Sequence, residues 1–184
     1  MTESVDYKIV KSFGPVEIRK YPQMVLATVA SPYDDAAFSI LFRYIAGNNE
    51  PNERISMTAP VISQRTRGER IEMTAPVISD EASFSFVLPP TFNMSNAPRP
   101  KDSRIRILGV PSRYVATIRF SGRAYMRDVV TMENELRKEL KDNNIRKKGA
   151  PFLMRYNSPF TPGFMRHNEV GIEVLAEDVE REMK

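Results

Sequence analysis

The chain contains no cysteine, which excludes disulfides, thiolate metal sites and cysteine nucleophiles. It has one histidine, His167, so side chains offer no cluster able to hold a structural or catalytic metal on their own. Gly-rich phosphate loops and a G-x-S-x-G nucleophile elbow are also missing. Carboxylates are scattered along strands and in helical salt pairs, and their spacing selects no acid/base dyad. An enzyme is therefore not expected. No apolar run approaches the roughly 18 residues that a membrane helix requires, so no membrane span is expected. The opening MTESVDYKIV lacks a basic region followed by an apolar segment, and the cytoplasm is the expected compartment. An excess of one charge is lacking too: 27 basic residues stand against 23 acidic ones, giving +4. The two signs interleave, leaving no basic stripe for a phosphate backbone, and nucleic acid is not an expected partner. A small carboxylated ligand suits a slightly basic pocket rim better.

What is present fits one globular domain spanning residues 1–184, with a short disordered N-terminus and a charged, frayed C-terminal tail. Apolar residues make up 41% and charged residues 27%, ordinary proportions for such a domain. The chain is organised around a repeat: ISMTAPVI (55–62) returns as IEMTAPVI (71–78) after the spacer SQRTRGER. Alternation puts Ile55, Met57, Ala59 and Val61 on one face, and likewise Ile71, Met73, Ala75 and Val77. That pattern predicts two half-buried strands joined as a hairpin. Proline donates no ladder hydrogen bond, so Pro60 and Pro76 mark an edge, a bulge or a strand end.

Taken in order, residues 7–22 read as two strands about a Phe13-Gly14-Pro15 turn, and 24–30 as a third strand. A helix then runs from Ser31 (N-cap) and Pro32 (first turn) to about Ala46, with Gly47 as its stop. It carries two apolar stripes: Phe38, Leu41, Phe42 and Ile45, then Tyr33, Ala37, Ile40 and Tyr44, with Arg43 beside Ile40. One stripe serves a sheet. The other leaves two readings open: the helix is pressed between the sheet and a loop, or the stripe lines a cleft for a flat apolar ligand. Residues 84–88 read as a strand and 89–103, with four prolines, as a long loop. Residues 104–110 and 113–120 read as a hairpin about Pro111-Ser112. A second helix spans about Arg127 to Asn143 on a Val129, Met132, Leu136, Leu140 seam. Residues 151–164 read as irregular, and 169–176 as the last strand. Two pseudo-repeated βαβ-like halves within one mixed sheet follow, which is α+β.

The run RYIAGNNEPNERISMTAPVIS (43–63) resembles the signature of the SOUL, or haem-binding protein, family. FSFVLPPTF (84–92), APRPKDSRI (97–105), RYVATIRFSG (113–122) and YNSPFTPGFMRHNEVGIEV (156–174) follow in the family's order. The resemblance covers about Tyr7 to Val174. It implies a distorted barrel-like mixed sheet flanked by two helices, and a protein that binds haem or a related tetrapyrrole as carrier, buffer or sensor. It further implies that the ring lies along the first helix, with Arg43 meeting a propionate and Ile40 and Tyr44 as apolar neighbours. His167 reads either as a hydrogen-bonded or surface histidine or as an axial haem ligand. Relatives usually carry Arg there, and the histidine proposed as ligand in some members has no counterpart, which implies haem held without strong axial ligation. A lysine in the C-terminal loop of some relatives has no equivalent in SPFTPGF. Gly171 replaces an aromatic common in that strand, either opening space or losing packing. The alternative is a gyrase-inhibitor-like module for other lipophilic ligands, favoured if Glu17, Glu72 or Glu169 stood inside a cleft to pair with a cation; a tetrapyrrole-modifying enzyme ranks last, since no catalytic constellation is visible.

Overall fold

The computed structural model describes residues 3–65 and 82–181. In chain order the first elements are the strands β1 (Glu3–Ser4), β2 (Lys8–Phe13), β3 (Val16–Tyr21) and β4 (Met24–Ala30). The helix α1 (Asp34–Ile45) follows, then β5 (Asn49–Glu50), β6 (Thr58–Gln64), β7 (Ser83–Val87), β8 (Arg99–Pro100) and β9 (Ile105–Val110). The remainder is β10 (Arg113–Ser121), α2 (Met126–Asp142), β11 (Phe152–Arg155), β12 (His167–Glu173) and α3 (Ala176–Glu180). The fold is α+β, as the alternation of strand and helix patterns predicts.

The described residues form two compact units. Unit 1 gathers 3–5, 23–65 and 82–111; unit 2 gathers 6–22 and 112–181. In unit 1 the strands run in the order β6-β7-β4-β9, all antiparallel, with β1 added parallel to β6. In unit 2 the order is β11-β12-β10-β3-β2, again antiparallel. Both units are built on one pattern, strand-helix-strand-strand, in which the last strand enters between the two that flank the helix. In unit 1 this is β4-α1-β6-β7 with β9 on the free side of β4; in unit 2 it is β10-α2-β11-β12 with β3 beside β10. These are the two pseudo-repeated halves that the sequence pattern predicts.

The core of each unit lies between its helix and one sheet face. Ala37, Ile40, Leu41, Tyr44 and Ile45 of α1 meet Val25, Ala27, Val29, Phe84 and Phe86. Leu136 and Leu140 of α2, with Val129 and Met132 at the margin, meet Val16, Ile18, Ala116, Ile118, Val170 and Ile172. The α2 seam is thus the one its periodicity predicts.

Local chemistry accounts for most boundaries. Gly14, at φ +51°, makes the β2–β3 turn that Phe13-Gly14-Pro15 predicts. Pro60 sits where the β6–β7 register shifts between Thr58 and Val61, so the first MTAPVI copy carries its proline at a bulge. The half-buried alternation expected there does not hold: Thr58, Ala59, Pro60, Ile62 and Ser63 are all buried. The second copy, and with it the expected 55–62/71–78 hairpin, lies outside the described residues.

Several expectations are corrected. Ser31 does not cap α1: its Oγ accepts the Tyr33 N–H at 3.0 Å and donates to the Tyr33 carbonyl. That side-chain turn places the cap at Tyr33, two residues later. The hairpin about Pro111-Ser112 does not form, because β9 pairs with β4 and β10 pairs with β3 and β12. Residues 152–155, read as irregular, are β11, whose Phe152, Leu153 and Met154 are buried. The C-terminal tail is docked through residue 181. Asp178 accepts the Arg146 N–H at 2.9 Å and its Nη2 at 2.8 Å, and Val179 is buried in the unit 2 core. At the other end, Glu3–Ser4 pairs with Thr58–Ala59.

Candidate functional site

On α1 the apolar residues divide differently from the two stripes. Ile40 and Tyr44 are buried, and the Tyr44 hydroxyl donates to the Pro98 carbonyl at 2.7 Å. Burial, with the charge of Glu53 acting in the same direction, pushes this phenol up to about 12. Phe92 and Ala97 of the proline-rich loop pack on the same core. The stripe containing Ile40 and Tyr44 therefore lies against the 89–103 loop, the first of the two readings open at the sequence level. What α1 leaves uncovered is Phe42, half exposed, stacked on partly buried Phe38 with ring centroids 6.0 Å apart. Arg43 is exposed and follows Phe42 directly, about 100° around the helix. Tyr33, at the N-cap, is more exposed still.

His167 belongs to unit 2 and opens β12. Strand pairing puts its face in register with a polar surface opposite α2. Glu17, Arg19 and Tyr21 of β3, Thr117 of β10, Glu169 and Gly171 of β12, and Phe152 and Met154 of β11 all point the same way. Glu169 is completely buried at its centre, and every approach to the carboxylate is filled. Arg19 donates to both oxygens, from Nη1 at 2.6 Å and Nη2 at 2.9 Å. The Tyr156 hydroxyl donates at 2.8 Å, and His167 Nε2 lies 2.7 Å from Oε1. The Tyr156 and His167 rings stack at 4.3 Å, while the Arg19 guanidinium lies 4.1 Å over the Tyr7 ring. Arg19 also donates to the Tyr21 hydroxyl and to Glu17.

Burial alone would raise the Glu169 pKa. The hydrogen bonds from His167, Arg19 and Tyr156 and the Arg19 charge outweigh it and hold the carboxyl down near about 2. The Tyr156 phenol is pushed the other way, by burial and then by the neighbouring Tyr21 and Glu169. This acid was named at the sequence level as a possible partner for a cationic ligand. Its place is indeed interior, but its charge is already met by Arg19. Glu17 is also bound to Arg19, and Glu72 lies outside the described residues.

The four residues singled out from the sequence thus divide: Arg43, Ile40 and Tyr44 are neighbours on α1 in unit 1, and His167 lies in unit 2. Arg19, Tyr21 and Tyr156 were missed. The only sequence signal was a polar stripe, Glu17-Arg19-Tyr21, in a strand whose other stripe is apolar, and such a stripe ordinarily faces water. For haem, the fit on α1 is of one kind only. Phe38 and Phe42 suit a flat apolar ring and Arg43 suits a carboxylate, but this face offers no imidazole or thiolate to iron. Among the described residues no cluster of three or more His, Cys, Asp or Glu suited to a metal occurs. An iron approaching His167 would have to be met through Nδ1, since Nε2 is engaged by Glu169.

Two βαββ halves in an α+β fold place the chain in a recognisable structural class. It is similar to the crystal structure of the EcmrR C-terminal domain, with TM-score 0.59 and 12% identity, covering 92% of this chain and 98% of that one. EcmrR in its DNA complex gives TM-score 0.62 at 12% identity, over 86% of this chain and 56% of that one. A hydrolase from Listeria innocua gives 0.58 at 13%, over 87% and 91%. At such identities the likeness concerns the fold alone. No curated protein matches the chain in sequence. The model of the SOUL heme-binding protein family matches residues 2–173, nearly the whole length. The chain belongs to that family.

Proposed function

We propose that this chain binds haem or a related tetrapyrrole beside α1, as a cytoplasmic carrier, buffer or sensor and not as an enzyme. The observation that carries the reading is the uncovered Phe38–Phe42 pair with Arg43 next to it, in a member of a haem-binding family. A half-exposed phenylalanine stacked on a second ring gives a macrocycle a flat apolar surface, at roughly 25 cal/mol per Å² removed from water. Arg43 is an exposed cation at the edge of that surface and meets a propionate. Buried Ile40 and Tyr44 support the helix from below. Iron chemistry, if used, comes from the bound haem; this chain's residues bind and orient the ring.

The test is a hemin titration followed by absorption. Wild type is expected to give a saturable, one-to-one Soret shift. Arg43→Ala and Phe42→Ala are each expected to weaken it about three- to tenfold, the worth of one charge-assisted hydrogen bond or one ring contact. His167→Ala should leave the spectrum unchanged, and an altered spectrum would assign axial ligation to that residue. Unsaturable partitioning in wild type sinks the reading.

A further inference from the structure

At one end of the unit 2 sheet, residues 157–165 expose more apolar surface than any other described segment. Phe160 is 95% exposed, Phe164 81% and Met165 62%. The adjacent turn before α2 adds Tyr125 and Met126, also exposed. The two segments are side by side. His167 pairs with Ser121, the Asn168 amide donates to the Gly122 carbonyl at 2.8 Å, and Gly163 lies against the Arg123 side chain.

The apolar loop is held firmly. Arg166 donates through Nε to the Thr161 carbonyl at 2.8 Å and through Nη2 to that of Pro159. The Asn157 carboxamide accepts the His167 N–H, and a short 3₁₀ turn spans Gly163–Met165. Holding large apolar side chains in water on an ordered loop is unfavourable, and a surface built that way serves an interaction.

Charge decides which. Although the two signs interleave over most of the chain, residues 112–127 contain Arg113, Arg119, Arg123 and Arg127 and no acid, and residues 143–168 contain none either; Arg113 pairs with Glu173 and Arg127 with the adjoining Asp128, so the charge here rests mainly on Arg119 and Arg123. Arg119, Arg123 and Arg127 are exposed; α2 begins here without a side-chain cap, and Asp128 in its first turn lies 3.4 Å from Arg127 Nε and offsets part of that charge. Aromatic and methionine side chains with Arg123 set against their loop and Arg119 exposed on the adjoining strand match the two layers of an anionic bilayer surface, acyl boundary and headgroup.

We infer that this loop is a peripheral docking surface for anionic lipid, in which Phe160, Phe164 and Met165 enter the interface while Arg119 and Arg123 meet phosphate. The full chain is tested by co-sedimentation with vesicles of phosphatidylcholine alone or mixed with phosphatidylserine. The wild type is expected to bind the mixed vesicles, less so as salt rises. Phe160→Ser with Phe164→Ser is expected to weaken binding by about tenfold or more, since both side chains are already solvated in the free protein and their loss costs the fold little. The chain has no tryptophan, so Phe160→Trp reports without background, and a blue shift on the mixed vesicles is expected. Equal sedimentation of wild type and double variant, or no shift with either vesicle, overturns the proposal. So does lipid-free self-association that the double variant abolishes, which would assign the surface to a second copy. Hemin binding by the double variant reads the α1 proposal separately.

Discussion

Replacing Glu169 with glutamine is expected to lower the unfolding free energy by about 3–5 kcal/mol, the usual cost of breaking a buried ion pair by removing one partner. The swap keeps size and shape, so packing is not the cause. It leaves the Arg19 guanidinium, whose side chain is 6% exposed, facing an amide, with only the more exposed Glu17 to offset it. It also obliges Tyr156 and His167 to share a weaker acceptor. Arg19→Met with Glu169→Leu removes both charges and should recover much of the loss, because the isolated charge and not the missing attraction carries most of the cost. Urea unfolding of the single and double variants reads both; a loss below about 1 kcal/mol in the single variant would show the pair to be dispensable.

The same carboxylate predicts how wild type responds to acid. Glu169 and Asp178 each sit near about 2 in the folded chain, below the ordinary carboxylate values of about 4. For Asp178 the cause is hydrogen bonding from Arg146. A folded-state pKa below the unfolded one means the unfolded chain takes up protons first as pH falls. The stability these groups contribute is therefore complete above about pH 4 to 5 and is lost between there and about pH 2. Glu169→Gln should start lower and decline less steeply across that window.

Gly171→Ala is expected to cost about 1–3 kcal/mol, from overpacking. Gly171 stands opposite Phe152 in the β11–β12 pairing, and the aromatic ring lies across it. A Cβ at this position would come 2.7 Å from Cε2 and Cζ of Phe152, and 3.1 Å from the Met154 methyl. Neither neighbour is free to move away: Phe152 and Met154 are buried, and the Arg113 guanidinium lies 5.2 Å from the Phe152 ring centre. Phe152→Leu in the same chain should relieve the clash, so that the double variant loses less than the two single losses added. Thermal melts of the three variants decide it, and a Gly171→Ala chain as stable as wild type would refute the account. The absent aromatic at position 171 therefore opens no space; a ring reaches across from the next strand.

The fold was legible wherever one residue type dictates a local geometry. Gly14 marks a turn, Pro60 an interruption that could be an edge, a bulge or a strand end, Asn143 a helix end, and the α2 seam follows from its spacing alone. It was illegible where a choice between partners is decided far away in sequence. Nothing in 104–120 says that β9 and β10, joined by Pro111-Ser112, turn to different neighbours. Nothing in EDVEREMK says that Asp178 meets Arg146, thirty-two residues back. The buried network escaped for a related reason. Period-two alternation separates apolar from polar residues, and the polar side is ordinarily the wet one. In β3 and β12 that side is buried, and Glu169 is tolerated there only because Arg19, 150 residues earlier, arrives opposite it. The haem reading was legible only through the family signature, since Phe42 beside Arg43 is by itself an unremarkable dipeptide.

The placement of β3 and β9 has one further consequence. In unit 2 the strand beside the βαββ core comes before that core in the chain, and in unit 1 it comes after. The halves are thus circular permutations of one another, the same arrangement cut at different points. Tyr21 and Arg113 pair within unit 2, and Met24 and Val110 pair within unit 1. A linear comparison of the two halves must miss this edge strand, because its counterparts lie at opposite ends of their repeats.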